Sequence, residues 1–426
     1  MESGNGLFKK RVSGNSLVIT IIVGLILAIF CTSILLLFYY NHIWETELRI
    51  NERLNRNIQS GINLLLSDTA VLPSGTSDSL DLFGKGEDII KLKRENWGLY
   101  NVAQVRSFWG NRVKSKLLLY GSRPEKYYNG CIYLADHQAS LSVIGEVKLT
   151  GDVYLSGSGI KPGYINQRGY SFSQLLTGNV QKSNSNLPAL NMNIKQYLFE
   201  LLNKAKDHTT PEITAEFPSD TLNQSFGDST LTVFQHKKVL IANKNLRGKI
   251  VIISDSSIEV ENSARLENVI LIAPEIRFNN GFSGSVQAIA SDSIVTGENT
   301  NFFYPSSFVL LKEGKDIGFK TITIQKNCTF EGIILSVADS LDKEKTYLKI
   351  DANSLLTGII YVNGYVESLA NVHGTILTDY FVYRHSSSVY INNLVDVEIN
   401  RSLLPTYFIG SPVFGSKKNK IITWLQ

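Results

Sequence analysis

The sequence predicts a mainly β protein: a parallel β-helix, or β-solenoid, carried on a long N-terminal helix that combines a transmembrane span with a stalk. Two observations point there. The stretch Ile322, Ile324, Phe330, Gly332, Ile333, Ile334, Leu335 superposes without a gap on Leu348, Ile350, Leu356, Gly358, Ile359, Ile360, Tyr361 and on Ile258, Val260, Leu266, Asn268, Val269, Ile270, Leu271. Separately, residues 17–38 form a run of 22 residues without a charge, continued by an amphipathic stripe.

The superposed copies carry the head. Each is a brief strand, a polar corner and a second brief strand, and tighter versions occur as Ile276, Phe278, Gly284, Ser285, Val286 and as Val366, Ser368, Gly374, Thr375, Ile376. A unit this small cannot bury both its faces alone, so copies must stack. Stacking like strands in parallel gives each backbone donor and acceptor a partner in the turn above or below. Asn262, Asn327, Asn353 and Asn371 fall at the corners, where side-chain to backbone hydrogen bonds are expected to form a ladder.

Taken in order, the chain begins with a basic leader, residues 1–14, holding Lys9, Lys10 and Arg11. The apolar run that follows is long enough to cross a hydrocarbon core of ~30 Å. Phe38, Tyr39 and Tyr40 stand where a signal peptide would carry a small-residue cleavage site, so the run reads as an uncleaved anchor. Positive charge before the span places the leader in the cytoplasm and the head in the periplasm or outside the cell, with Tyr39, Tyr40 and Trp44 at the outer interface. Ile50, Leu54, Ile58, Ile62 and Leu65 extend the helix as a stalk, so that residues 15–67 form one element.

A short basic leader, Gly14, an immediate apolar run and a long amphipathic continuation make this region similar to the N-terminus of type IV pilin-like proteins, particularly the large minor pilins and pseudopilins. The resemblance covers about 55 residues. It implies prepilin-type cleavage after Gly14, Asn15 as the mature N-terminus, and an apolar helix that packs into a filament core with other envelope or pilin-like proteins. Asn15 stands where the family usually has an aromatic residue or Met. Ile19 replaces the Glu of major pilins, which some minor members also lack.

Beyond the stalk, residues 68–130 read as a linker and mixed α/β lead-in, with Pro73, Gly75, Gly84 and Gly86 marking a loop up to residue 95. Residues 131–238 read as irregular and β-rich, with Asn193 expected to cap a helix running to Ala205. Within them, two adjacent six-residue units from Gly145 and Gly151 suggest a first solenoid turn or a tight hairpin. The loop from Gly157 to Gly178, with Tyr164 and Tyr170, is a candidate surface. Regular coil is expected over residues 239–400, and residues 401–426 as a C-terminal cap over its last edge, with Lys417, Lys418 and Lys420 solvating that edge.

Composition narrows the function. A formal net charge of +4 with 19% charged residues is too balanced for a chain that neutralises a run of phosphates, so no nucleic-acid partner is expected. The three cysteines, Cys31, Cys131 and Cys328, form no metal-ligand pattern, and Cys328 takes the corner place of Ala264 and Ser354, as a small packed side chain would. Polysaccharide chemistry would need paired carboxylates on one face. Asp255, Asp292, Asp351 and Asp379, with Arg384 and His385, are the candidates, but they do not recur at one place in the repeat. His137 and His373 are each isolated, and Asn223, Asn327 and Asn400 open N-x-[ST] triplets at about the chance frequency. The sequence thus points to a non-enzymatic membrane-anchored structural or assembly protein of the cell envelope, with no catalytic, cofactor or metal residues. A surface glycan-binding module or polysaccharide-active enzyme is the alternative.

Overall fold

The computed structural model describes residues 14–67, 75–124, 126–206, 220–312, 320–338, 346–415 and 418–425. Residues 1–13 of the basic leader, Pro73, Pro211 and Lys417 lie outside them. The chain is mainly β with one long N-terminal apolar helix. That helix, α1 (Gly14–Leu66), is unbroken, since nothing between the apolar run and the stalk stripe interrupts its backbone bonds. Leu54, Ile58, Ile62 and Leu65, spaced three and four apart, are the positions it buries.

Ile58, Ile62 and Leu65 meet an antiparallel sheet where the sequence reading expected a linker. Strands β1 (Ser77–Asp81), β2 (Ile89–Trp97), β3 (Tyr100–Trp109) and β4 (Arg112–Ser122) form a meander, and the C-terminal strand Asn419–Leu425 pairs with β4. The glycines read as loop signals turn the hairpins: Gly98 and Gly110 take φ values of 58° and 53°. Alternation sends Ile90, Leu92, Ala103, Val105, Leu118 and Tyr120 toward α1. The opposite face, including Trp97, Tyr100, Val102 and Leu119, packs on the rest of the head. The C-terminal segment therefore completes this sheet, where a cover for the last coil edge was expected; Lys420 faces Gly121 across the ladder.

The remaining strands pair in parallel, apart from the antiparallel pairing of Ser388–Ile391 with the end of Asn371–His385, and the superposition of sequence copies is also their register. Ile322 lies beside Leu348, Phe330 beside Leu356 and Gly332 beside Gly358. The tighter copies follow suit, with Ile276 beside Ile258 and Ile376 beside Ile360. One inward column can be traced from Val233 through Ile252, Leu271, Ala288, Phe308, Ile334, Ile360 and Ile376, after which it continues into Ile132 and Val153, with the exposed Val180 paired beyond them. Residues 132–182 thus stack on the end reached by residues 376–399. Two expectations change. Stacked strands begin at Thr221, ahead of residue 239, and the segment 131–182 belongs to the stack. The units after Gly145 and Gly151 are not a hairpin: Lys148–Thr150 pairs with Glu398–Asn400, and Val153–Leu155 pairs with Ile132–Leu134 and Val180–Lys182.

Between the two ends runs α2 (Met192–Lys206), whose N-cap is Asn191, two residues earlier than expected: its Oδ1 accepts from the Asn193 amide at 3.0 Å. Leu198 and Leu202 press onto the outside of a face whose strands read as continuous apolar runs, such as Ile250 to Ile253 and Val269 to Ile272. Both sides of that face are covered, which is why alternation fails there. At the corners Asn268, Asn299, Asn327 and Asn353 adopt φ of 57° to 61°, the left-handed region that Asn tolerates. The Asn ladder works mainly through this backbone shape, although Asn371 Oδ1 does accept from the Glu398 amide at 2.9 Å.

Candidate functional site: the stalk, its socket and the coil surface

The first half of α1 carries apolar side chains on every side, and from Leu17 to Trp44 all of its large ones are exposed. Hydroxyls within the apolar run bond back to the helix itself, Thr20 donating to the Ser16 carbonyl at 2.7 Å and Ser33 to that of Ile29 at 2.8 Å. That pattern suits a medium offering no hydrogen bonds. Asn15–Leu66 is long and apolar enough to cross a membrane.

Past the apolar half, the helix is seated by charge as well as packing. Arg53 donates from Nε to Asp88 Oδ1 at 2.7 Å and from Nη2 to Asp88 Oδ2 at 2.6 Å, and Asn57 adds a bond of 2.8 Å to Oδ1. Arg53 also lies 3.9 Å from the Trp109 ring centre. Asp88 is buried, and the bonds from Arg53 hold its carboxyl below the usual carboxylate range although burial acts the other way. Nearer the apolar half, Arg112 and Glu47 form a second ion pair. Close approach is possible because residue 61 is glycine: a Cβ there would stand 2.7 Å from Val105 Cγ1.

Buried polar groups bond the sheet to the stack of parallel strands. Gln287 Oε1 accepts from the Leu99 amide at 2.8 Å and from Ser307 Oγ at 3.1 Å, while its Nε2 donates to the Trp97 carbonyl at 2.9 Å. Lys249, itself buried, donates to Glu95 Oε2 at 2.6 Å and to the Asp228 carbonyl at 3.0 Å. Burial raises the Glu95 pKa, but hydrogen bonds from Lys249 and Lys93 outweigh it and hold the carboxyl below its ordinary range. Stalk, sheet and coil are thereby joined through directional contacts.

The residues weighed for chemistry are not brought together. Asp255 meets His236 Nδ1 at 2.8 Å, Asp292 pairs with Lys320, Asp351 with Lys349 at 2.9 Å, and Asp379 is buried on another turn. Arg384 lies 3.8 Å from Glu367 and over the Tyr347 ring, and exposed His385 stacks on Tyr383. His137 stacks on Tyr380 at 4.4 Å, and half-buried His373 sits beside Thr357 in the ladder. Among the described residues no three His, Cys, Asp or Glu side chains are grouped to hold a metal ion. Cys131 and Cys328 are buried, and burial pushes the Cys131 thiol up to about 12. Asn400 caps a short 3-10 turn by accepting from the Ser402 amide at 3.0 Å, and Asn223 lies in the strand Thr221–Gln224. In the loop after Gly157, Arg168 pairs with Asp396 at 2.7 Å, and Tyr164 points outward, 72% exposed.

Two features went unread in the sequence. Tyr347, Tyr365 and Tyr380 stack in neighbouring turns and end on His137. At another corner, Phe302 pairs with Phe330 but Ser306 with Gly332, so this turn holds two extra residues and bulges. Phe303 projects from the bulge, while the Tyr304 ring packs on Tyr407 and Phe408 and its hydroxyl donates to the Ile409 carbonyl at 2.9 Å. The insertion relative to the other copies was the available signal.

No protein-family model matches the chain, and no curated protein matches it. Among solved structures it is similar to the crystal structure of the competence-associated pilin ComZ from Thermus thermophilus, at 9% identity over 84% of this chain and 90% of that one, with a TM-score of 0.26.

Proposed function

We propose that this chain is a non-enzymatic, single-span membrane protein whose α1 holds a parallel β-helical head outside the cytoplasmic membrane, and that it serves as a minor pilin-like assembly subunit. One observation carries the reading. A single unbroken helix is wholly exposed and apolar over its first half and locked into an antiparallel sheet over its last turns. A helix apolar on all sides calls for lipid or other apolar helices around it, and the rigid socket ties the position of that half to the head. The in-register stacking of the turns supports the β-helix reading, and Lys9, Lys10 and Arg11 support an N-terminus in the cytoplasm. Cleavage after Gly14 would release the helix at Asn15, next to where α1 begins.

N-terminal sequencing of the membrane-extracted protein tests the pilin-like part, with Asn15 expected as the first residue; Met1 there removes it. Deleting Leu17–Phe38 tests the assembly part. The shortened protein is expected to lose membrane association and partner contacts, and normal assembly without that stretch refutes the proposal.

A further inference from the structure

We infer that the cleft beside the Phe303 bulge is a binding site for an acidic polysaccharide, one built of uronate-type sugars. The cleft, about 640 Å³, lies where the corners of successive turns meet the C-terminal strand at Ile422 and Thr423. Its floor is set by parallel register: Asn245 lies beside Arg265, Arg247 beside Glu267, and Glu267 beside Ser285. Inward Leu246 and Leu266 separate these positions along each strand, so the polar side chains all point out. Polar groups therefore repeat at the spacing of neighbouring strands, ~4.8 Å, comparable to the rise of one sugar in an extended chain.

Charge and shape select the ligand. Arg247 and Glu267 form an ion pair and neutralise each other. Arg265 is exposed and makes no ion pair among the described residues, so its planar fork is open to a carboxylate. Phe303, 54% exposed, offers a ring for the apolar face of a sugar. The wall carrying it is pre-set, because Tyr304 both donates to the Ile409 carbonyl and accepts from the Ile409 amide at 3.1 Å. One unpaired cation suits a chain with a carboxylate on each sugar and gives little hold on a densely charged polyanion. Glu267 is the lone carboxylate of the lining and is already paired, so the cleft lacks the two carboxyl groups that glycoside hydrolysis requires. It binds and does not cleave.

This inference does not depend on the assembly reading, and the two fail separately. Full-length protein in detergent micelles would be titrated calorimetrically with a galacturonate octamer and, in parallel, a neutral glucan octamer. The uronate is expected to bind, and the glucan at least about tenfold more weakly, in line with loss of a charge-assisted bond. Arg265→Ala should weaken uronate binding by at least about tenfold, with Arg265→Lys recovering part of the loss because a point charge replaces the fork. Phe303→Ala should weaken both sugars by a similar factor. Both side chains are exposed, so melting profiles should match the parent protein. No uronate binding at millimolar concentration, equal binding of the two sugars, or unchanged affinity in Arg265→Ala overturns the inference.

Discussion

Gly358→Ala tests the stacking of turns on which the whole head depends. Gly332, Gly358 and Gly374 sit side by side in three successive turns. Each has φ between 146° and 156°, and a Cβ on Gly358 would stand 1.8 Å from the Gly332 carbonyl oxygen. Two costs add. Placing an L-residue at φ near 150°, a region that glycine almost alone adopts, costs about 1–3 kcal/mol, and forcing an extra carbon into a filled space costs about 1–3 kcal/mol, for a total of about 2–6 kcal/mol. Gly281→Ala separates them, since Gly281 also has positive φ, 79°, at a corner of the same coil, yet a Cβ there would meet nothing nearer than 3.9 Å. Urea unfolding of the full-length protein in micelles, followed by far-UV circular dichroism, should lower the midpoint for both variants, and by about twice as much for Gly358→Ala, with little change in slope. Amide exchange should accelerate at Ile333 to Ser336, the strand beneath. Equal midpoints for the two variants would mean that the turns are not in this register, and the case for stacked coils would fall.

Other perturbations address the joints. Ile62→Ala, at a fully buried helix position, should cost about 3 kcal/mol and speed amide exchange in β3 and β4 while leaving the coil strands protected. The Asp88 carboxyl is held below its ordinary value, so its stabilisation is complete at neutral pH and is lost as pH falls from about 4 through the lower folded value. Trp109 fluorescence, which senses Arg53, should change across that range in the parent protein and stay flat in Asp88→Asn, where the pair is already broken; an unchanged titration in the variant refutes the assignment. Gln287→Leu leaves the buried Leu99 amide and Trp97 carbonyl without this partner and should cost about 3 kcal/mol, read as a red shift of Trp97 emission.

How much could be read without coordinates depends on how local the signal is. The register of Ile322 on Leu348, and of Ile258 on Ile276, was visible because neighbouring turns follow each other closely and repeat the same inward residues. The stalk stripe was visible for the same reason, as a helical period within one element. The meander was hidden because the alternation of Ile90 and Leu92 with Lys91 and Lys93 is short, is broken at once by Arg94, and sits beside the loop signals Gly84 and Gly86. The contact of Ile376 with Ile132 was beyond reach, since strands of three residues such as Ile132–Leu134 carry no repeat and their partner lies far along the chain. The cleft was half legible: Arg265 sits within a copy read from the sequence, but Phe303 lies in a turn that none of those copies covered, and the meeting of both with Ile422 depends on where the C-terminal strand returns.

That return explains the architecture. β4 ends at Ser122, the coil occupies the chain from about residue 131 to residue 400, and the strand that comes back pairs Asn419 with Ser122. The stack of parallel strands is therefore an insertion between two adjacent strands of the sheet that holds α1. An insertion joined by two neighbouring strands would swing as a hinge if nothing else held it. Here the sheet face bearing Trp97, Tyr100 and Val102 is buried on the coil, and Gln287 and Lys249 bond across the seam. Stacking the early segment 132–182 on the late turns adds a second constraint, because the coil cannot unwind from that end without releasing the strands that lead out of β4. The socket of α1, the sheet and the parallel strands are thus tied to one another by packing and by directional bonds.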